Sequence, residues 1–234
     1  MRLLATLASL AGPRGPTQSH LTLAHALWRS TVRPGDVVVD ATAGRGHDTA
    51  VLAELAGAAG RVYAMDVDAA ALAECEARVR AAAPDLGAFA PILGSHAAPP
   101  PGLEPRRARL VVFNLGYLPS KGAAEGVPTT SAETTTAALC DWALGAVVPG
   151  GAVSLSVYPG HASGAREAVA VRAFSRALNP SVWRATEHVA VNHARSAPFL
   201  VSLHRLYREG REAQIEDEDF RAPRDAALRA LAGT

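Results

Sequence analysis

Cysteine, net charge and long apolar runs are what this chain of 234 residues lacks, and each absence excludes a class of protein. The two cysteines, Cys75 and Cys140, lie far apart and outside any CxxC or Cys/His spacing, which excludes a disulfide scaffold and a zinc ribbon. The net charge of +1 excludes nucleic-acid binding by bulk charge. No apolar run approaches the roughly 18 residues that span a bilayer. We therefore expect no membrane partner and no metal.

Apolar residues, at 49% of the chain against 19% charged, are sufficient for one large core and exclude a wholly disordered protein. We predict one domain over residues 19–208, followed by a charged C-terminal tail over residues 209–234. Residues 1–18 are predicted to be a flexible segment that contains arginine, serine and threonine but no acid. This composition fits either a short organellar targeting peptide or a frayed helix. The expected location is cytoplasmic, or organellar if the segment is a targeting peptide.

Strand-like and helix-like segments alternate along the chain, which favours an α/β fold. The pattern predicts a Rossmann-like, doubly wound, mostly parallel sheet of seven strands with helices on both faces and a C-terminal antiparallel hairpin. The predicted strands are 36–40, 61–66, 88–93, 109–114, 152–158, 184–191 and 199–206, and the predicted helices are 20–31, 48–58, 68–83, 133–148 and 164–178.

The turn after the first strand is the first candidate ligand site, because open α/β sheets bind ligands beyond the carboxyl ends of their strands. Asp40 ends this strand, and Gly44 and Gly46 allow the backbone to approach a ligand closely. The third glycine of the dinucleotide-binding fingerprint is missing, which disfavours an NAD-linked oxidoreductase. Asp66 ends the second strand about twenty residues later, where an acid can accept hydrogen bonds from ribose hydroxyls. The alternative is an ordinary tight turn followed by a helix that Asp68 caps.

This first turn, with two glycines and an acidic end of the second strand, resembles that of the class I S-adenosylmethionine-dependent methyltransferases. The resemblance covers residues 19 to 207 and implies a seven-stranded sheet with a reversed strand at its edge. It implies S-adenosyl-L-methionine as the cofactor, with the glycines under its methionyl part and Asp66 on its ribose. The cofactor-binding residues that it implies are Asp40, Ala41, Gly44, Gly46, His47, Asp48, Asp66, Ser95, His96 and Asn114.

The fourth strand ends in the sequence NLGYLP, which begins at Asn114. It resembles the Asn/Asp-Pro-Pro-Tyr/Phe motif of amino-directed methyltransferases, in which the polar residue accepts hydrogen bonds from the target nitrogen and the aromatic ring stacks on the base. Asn114 and Tyr117 keep the spacing of that motif, whereas Leu115 and Gly116 replace the two prolines. The alternative is that Asn114 caps a turn and Tyr117 packs on a loop.

Several separate motifs together resemble one small family, the rRNA methylases and tRNA 5-aminomethyl-2-thiouridine methyltransferases (MnmM-like proteins). Arg45 stands where that family usually has asparagine, which leaves the side-chain contact at this position open. The motifs are DATAGRGHDT at 40–49, NLGYLP at 114–119, TTSAETT at 129–135, YPGH at 158–161 with Gly164 and Glu167, and Asn192 with APFL at 197–200.

The family resemblance implies methyl transfer to the amine of a 5-aminomethyl-2-thiouridine at the wobble position of a tRNA anticodon. The implied catalytic residues are Asn114, Tyr117 and His161, with His47 and Asp48 as further candidates for accepting the proton. Three alternatives stay open: an rRNA methyltransferase, a small-amine methyltransferase and a non-catalytic nucleotide-binding module. The oligomeric state also stays open, with a homodimer among the alternatives. Scattered cations are candidates for phosphate contacts, namely Arg14, Arg29, Arg33, Arg45 and Lys121.

Overall fold

The computed structural model describes residues 19–116, 130–207 and 218–233. The helices are α1 (His20–Thr31), α2 (His47–Ala56), α3 (Ala69–Ala82), α4 (Ala132–Ala138), a π-helical turn (Leu139–Ala143), α5 (Leu144–Ala146), α6 (Ala162–Ala177) and α7 (Glu218–Ala232). The strands are β1 (Val37–Asp40), β2 (Arg61–Asp66), β3 (Ala88–Leu93), β4 (Ala108–Leu115), β5 (Val147–Val157), β6 (Trp183–His188) and β7 (Phe199–Arg205).

The seven strands form one sheet in the order β3-β2-β1-β4-β5-β7-β6. The first five strands run parallel, whereas β7 is antiparallel to both β5 and β6. The predicted fold class, a mostly parallel doubly wound sheet with a C-terminal antiparallel hairpin, is confirmed. The strand order reverses between β1 and β4, and this reversal is where such sheets bind their ligands.

Two hydrophobic clusters cover the two faces of the sheet. One contains Trp28, Leu52 and Leu72 from the first three helices, and the other contains Leu139 and Phe174 from the later helices. The valine-rich β1 is buried because it lies in the centre of the sheet between these two layers. The buried indole of Trp28 donates a hydrogen bond to Ser154 Oγ at 3.0 Å, which fixes α1 on the sheet.

The helix predicted over residues 133–148 is wrong in its last two residues. It is interrupted by the π-helical turn and ends at Ala146, and β5 starts at Val147 rather than at residue 152. The early start pairs Val147 with Ala108, so two β-branched residues enter the sheet before Pro149. A register irregularity between Ala108 and Leu110 accommodates Pro149, Gly150 and Gly151 within β5, although these residues are typical of a turn.

The segment predicted as a charged tail, residues 209–234, contains the helix α7. Phe220 is 8% exposed and Ala227 is fully buried, because their helical spacing forms an apolar stripe that packs toward α6 and the π-helical turn. Arg224 forms an ion pair with Asp141 of that turn. The rest of the predicted tail up to residue 217, and the predicted segment 1–18, lie outside the described residues.

Candidate active site

The polar side chains predicted to bind ligands come from the carboxyl ends of β1, β2 and β4. Because β1 lies between the other two strands, their ends meet at one edge of the sheet, at the reversal of strand order. Asp40 pairs in register with Ala64 on one side and with Val112 on the other, two residues before Asp66 and Asn114 respectively. The topology thus brings the predicted cofactor acid and the predicted catalytic amide to the same edge.

Asp40 is fully buried, and its carboxylate stabilises the turn between β1 and α2. Its Oδ2 accepts a hydrogen bond from Thr49 Oγ1 at 2.7 Å, and its Oδ1 accepts one from the Thr42 N–H at 3.2 Å. Burial raises the pKa of Asp40 to about 7. The Ala41 N–H donates to the Val112 carbonyl. These contacts tie the first turn of α2 to β1, so Asp40 shapes the cofactor turn through Thr49.

Gly44 and Gly46 both have positive φ, at 51° and 80°. A Cβ built on Gly46 would lie 2.6 Å from the Cys75 Cα, so only glycine lets α2 begin this close to α3. The Gly44 N–H donates to Asp66 Oδ2 at 2.7 Å. The two glycines therefore have different structural roles. Gly46 allows α2 to pack closely on α3, and the N–H of Gly44 binds the carboxylate of Asp66.

Asp66 is 9% exposed at the end of β2. Its Oδ1 accepts the Asp68 N–H at 2.9 Å, in addition to the Gly44 contact on Oδ2. Each carboxylate oxygen holds one backbone donor and keeps a second lone pair for a ligand hydroxyl. The predicted cap of α3 is Asp68, which accepts hydrogen bonds from Ala70 and Ala71, as expected. Asp66 is consequently not the cap of that helix.

Two exposed apolar side chains stand beside Asp66. Val67 follows it and is 48% exposed, and Leu93 pairs with it in register on β3 and is 61% exposed. Ser95 is exposed two residues further on and caps the Ala97 N–H. His96 is buried against Phe113, burial lowers its pKa to about 4, and its carbonyl accepts a hydrogen bond from Trp142 Nε1. An apolar surface with an acid at its edge has the chemistry to hold a nucleoside.

Asn114 and Asp48 form the second centre of the site. Asn114 Nδ2 donates to Asp48 Oδ2 at 2.7 Å, and Asp48 Oδ1 lies 2.6 Å from His25 Nε2. The Asn114 N–H donates to Thr42 Oγ1 at 2.6 Å. The Asn114 Oδ1 is buried and has no hydrogen-bond partner among the described residues. A buried acceptor that the described protein leaves unpaired is suited to a ligand donor.

His161 and Tyr158 lie beside the end of β4. A Cβ built on Gly116 would be 3.7 Å from Tyr158 Cδ2 and 3.8 Å from His161 Nε2. His161 is the N-cap of α6, since its Nδ1 accepts the Gly164 N–H at 3.1 Å. Tyr158 Oη lies 3.0 Å from His20 Nε2, and burial raises the pKa of Tyr158 to about 12. Tyr158 therefore acts as a neutral hydroxyl at this edge.

A buried carboxylate holds the backbone just beyond Asn114. Thr130 Oγ1 accepts the Gly116 N–H at 2.8 Å and lies 3.0 Å from Glu167 Oε2. Thr135 Oγ1 donates to Glu167 Oε1 at 2.6 Å. Glu167 is 1% exposed, and burial raises its pKa to about 7. Ser131 caps α4. Glu167 thus joins α6 to α4 and to the end of β4.

Not every predicted site residue joins these centres. Tyr117, Arg14 and Lys121 lie outside the described residues, and His47 is exposed at the first position of α2. Sequence reasoning did not single out Thr42, Tyr158 or His20 as site residues. The hydroxyl of Thr42 could have been found from its position within the DATAG turn, and Tyr158 from its place at the end of a buried strand. Nothing in the sequence pattern pointed to His20.

Among the described residues, no group of three or more His, Cys, Asp or Glu is placed to hold a metal ion. In the same part of the chain, none of the helices is both long and apolar enough to cross a membrane.

Comparison with known proteins identifies the family of this chain. The model of the family described as "Putative rRNA methylase" matches residues 62–204. An Arabidopsis thaliana protein named tRNA (mnm(5)s(2)U34)-methyltransferase, chloroplastic, is 33% identical over 201 residues, which cover 77% of this chain and 67% of that protein.

Two crystal structures share the fold over 82% of this chain and 100% of their own. One is an rRNA methylase, described as putative, from Clostridium thermocellum, at 30% identity and a TM-score of 0.73. The other is a methyltransferase, also described as putative, from Streptococcus mutans in complex with SAH, at 26% identity and a TM-score of 0.66. The chain therefore belongs to the "Putative rRNA methylase" family and is a class I S-adenosylmethionine-dependent methyltransferase.

Proposed function

We propose that this protein binds S-adenosyl-L-methionine at the carboxyl edge of β1 and β2 and methylates the amine of a 5-aminomethyl-2-thiouridine at the wobble position of a tRNA. The observation that supports it best is the buried Oδ1 of Asn114, which lies next to the cofactor turn and has no hydrogen-bond partner in the described part of the chain. An acceptor at this position suits a nucleophile that carries an N–H or O–H donor, and it excludes a carbon nucleophile. The name of the Arabidopsis relative supports the choice of substrate.

The residues of the edge fit the cofactor. The carboxylate of Asp66 has lone pairs left for the ribose hydroxyls, because each oxygen holds a single backbone donor. Val67 and Leu93 offer apolar surface to the adenine ring on the same side. Gly44 has no side chain at the turn, so that the methionyl part can pass close to the backbone there. Asp40 supports this turn from below through Thr49.

S-adenosylmethionine supplies a methyl group on a sulfonium, whose sulfur keeps the electron pair of the broken C–S bond. The task of the protein is to present a neutral amine in line with that bond, because positioning accounts for most of the acceleration of such a displacement. Asn114 Oδ1 accepts an N–H of the amine and so turns the nitrogen lone pair toward the methyl carbon. The new N–C bond leaves a secondary ammonium, which releases its extra proton to the solvent.

His161 is the N-cap of α6, which bears on its predicted catalytic role. Its Nδ1 accepts the Gly164 N–H. A proton on this nitrogen would break the cap. The catalytic roles of Asn114, Tyr117 and His161 remain predictions, which substitution of each residue tests.

Two measurements test the proposed function. Calorimetry is expected to detect binding of S-adenosylhomocysteine and none of NAD, and the reverse result would refute the methyltransferase mechanism. Incubation with cofactor and a tRNA that carries 5-aminomethyl-2-thiouridine is expected to add one methyl mass at that nucleoside, read by mass spectrometry. The matched control is the same tRNA with an unmodified wobble uridine. A folded, cofactor-binding protein that adds no methyl group to the first tRNA would exclude this substrate.

A second substrate, rRNA, is favoured by the description of the family that matches residues 62–204. The same assay with deproteinised ribosomal RNA separates the two substrates. Methyl transfer to rRNA alone would identify rRNA as the substrate and would leave the proposed cofactor site unchanged. An organellar location also remains a prediction, which the name "chloroplastic" of the Arabidopsis relative supports.

A further inference from the structure

Asp48 connects three elements through its two carboxylate oxygens. Oδ1 lies 2.6 Å from His25 Nε2 of α1, and Oδ2 accepts the hydrogen bond from Asn114 Nδ2 of β4. The side chains of His25 and Asp48 are only 26% and 16% exposed. Sequence reasoning placed Asp48 among the cofactor ligands or proton acceptors. Each of its oxygens holds one protein donor, so Asp48 joins α1 to the end of β4, and this link points to a role in positioning.

The chemistry of the pair fixes the direction of the Asn114 amide. A carboxylate accepts hydrogen bonds and donates none, so only the NH2 end of the amide can face Asp48. The oxygen must then point away from Asp48, and it is this Oδ1 that is buried without a described partner. An isolated amide could turn by 180° and exchange its oxygen and nitrogen, which are nearly equal in size. Asp48 removes this freedom.

We propose that Asp48, held in place by His25, is a positioning residue that keeps the amide oxygen of Asn114 directed at the substrate amine. The inference rests on the proposed function, since it assigns a direction to the acceptor used there. A reversed amide would present N–H donors to the amine and compete with the methyl group for the nitrogen lone pair. Asp48 therefore selects the productive direction before the substrate binds, which lowers the reorganisation needed for transfer.

The first test is Asp48→Asn, which keeps the size of the side chain but can donate as well as accept. Both directions of the Asn114 amide then become accessible. We expect kcat to fall by at least about tenfold while the Kd of S-adenosylhomocysteine changes by less than about threefold. A loss of cofactor affinity as large as the loss of turnover would make Asp48 a cofactor ligand and overturn the proposal.

A matched exchange separates direction from simple disruption. In Asn114→Asp alone, two carboxylates face each other, and turnover is expected to be lost. In the double variant Asp48→Asn/Asn114→Asp, the amide and the carboxylate change places, so the donor–acceptor pair is restored and one carboxylate oxygen at position 114 is left for the substrate. We expect the double variant to be at least about tenfold more active than Asn114→Asp. A double variant no more active than the weaker single variant would contradict the proposal.

The contribution of His25 has its own comparison. His25→Gln keeps an N–H donor for Asp48, whereas His25→Leu removes it. The proposal expects higher kcat in the first variant with equal cofactor affinity in both. Equal turnover in the two variants would show that His25 does not help to position Asp48.

The direction of the amide can also be read without RNA. In 15N-labelled protein, the side-chain NH2 signals of Asn114, assigned by their loss in Asn114→Asp, are expected to be protected from exchange in the wild type and exposed in Asp48→Ala. Unprotected signals in the wild type would overturn the inference even if tRNA is methylated. Protected signals with no methylation of the tRNA would instead refute the proposed substrate and leave the amide direction supported.

Discussion

At the residue scale, cofactor affinity is expected to depend most on Asp66. Its carboxylate holds the turn through the Gly44 N–H and has free lone pairs for two ribose hydroxyls. Asp66→Ala removes these charge-assisted hydrogen bonds, each worth about 1.5–3 kcal/mol, so the Kd of S-adenosylhomocysteine should rise by at least roughly 100-fold. Isothermal titration calorimetry measures this change.

The matched control is Asp68→Ala, two residues away. Asp68 caps α3 through Ala70 and Ala71, so its loss should cost about 1 kcal/mol of stability and leave cofactor affinity unchanged. Asp66→Asn, which keeps one acceptor, should lie between the wild type and Asp66→Ala. Unchanged affinity in folded Asp66→Ala would disprove the ribose-binding role.

At the element scale, Glu167 links α6 to α4 and to the end of β4, and its burial predicts a pH dependence of stability. Burial raises its pKa from 4.5 to about 7. The folded state thus binds the proton more tightly than the unfolded chain, and the free energy of unfolding should fall as pH rises from about 4.5 to about 7 and then level off. A shift of this size corresponds to a change on the order of 3 kcal/mol.

Chemical denaturation between pH 4.5 and pH 8 of the wild type and Glu167→Gln measures this contribution. The variant cannot titrate at this position, so its free energy of unfolding should fall less over the same range. Asp40, whose pKa burial also raises to about 7, adds a fall of the same sign in both proteins. Only the difference between the two proteins therefore reports on Glu167. Parallel curves for the two proteins would show that Glu167 does not titrate as expected.

Elements that turn residues delimit in the sequence were predicted best. Strands β2 and β3 have the predicted bounds, because Gly60 and Gly87 directly precede them and leave few alternative starting points. The early start of β5 and the helix α7 were missed, since both depend on partners distant in sequence. Val147 becomes a strand residue by pairing with Ala108, and Phe220 becomes buried by packing on α6.

The same limit applies to the site. Gly44, Gly46 and Asp66 could be predicted because a ligand turn constrains residue types at fixed spacing. The contact of His25 with Asp48 spans 23 residues, and it exists only because α1 packs beside α2 at the end of the sheet. A sequence pattern indicates which residues can react, whereas the direction of the Asn114 amide depends on packing.

At the scale of the whole molecule, the net charge of +1 requires a local surface for RNA. The loop between β6 and β7 lies at the same edge as the site, since Val157 at the end of β5 pairs with Phe199 at the start of β7. The loop is exposed, carries His193 and Arg195, and contains Val191, which is 95% exposed. A Cβ built on Gly160 would be 3.6 Å from the carbonyl oxygen of Ser196 in the β6–β7 loop. The β6–β7 loop therefore lies beside the loop that contains His161.

We predict that tRNA affinity has a shallow salt dependence, with a slope of log K against log salt of roughly −2 to −3, because few phosphates are neutralised. Arg195→Ala should weaken binding of an anticodon stem-loop several-fold at low salt and reduce the slope by roughly 0.7–0.9, the value for one lost phosphate contact. Fluorescence anisotropy between about 50 and about 200 mM salt measures both quantities.

The matched control is Arg176→Ala, which removes an exposed arginine of α6 and should leave the slope unchanged. An equal change of slope in both variants would mean that RNA responds to overall charge, and the assignment of the β6–β7 loop as the RNA surface would then be wrong.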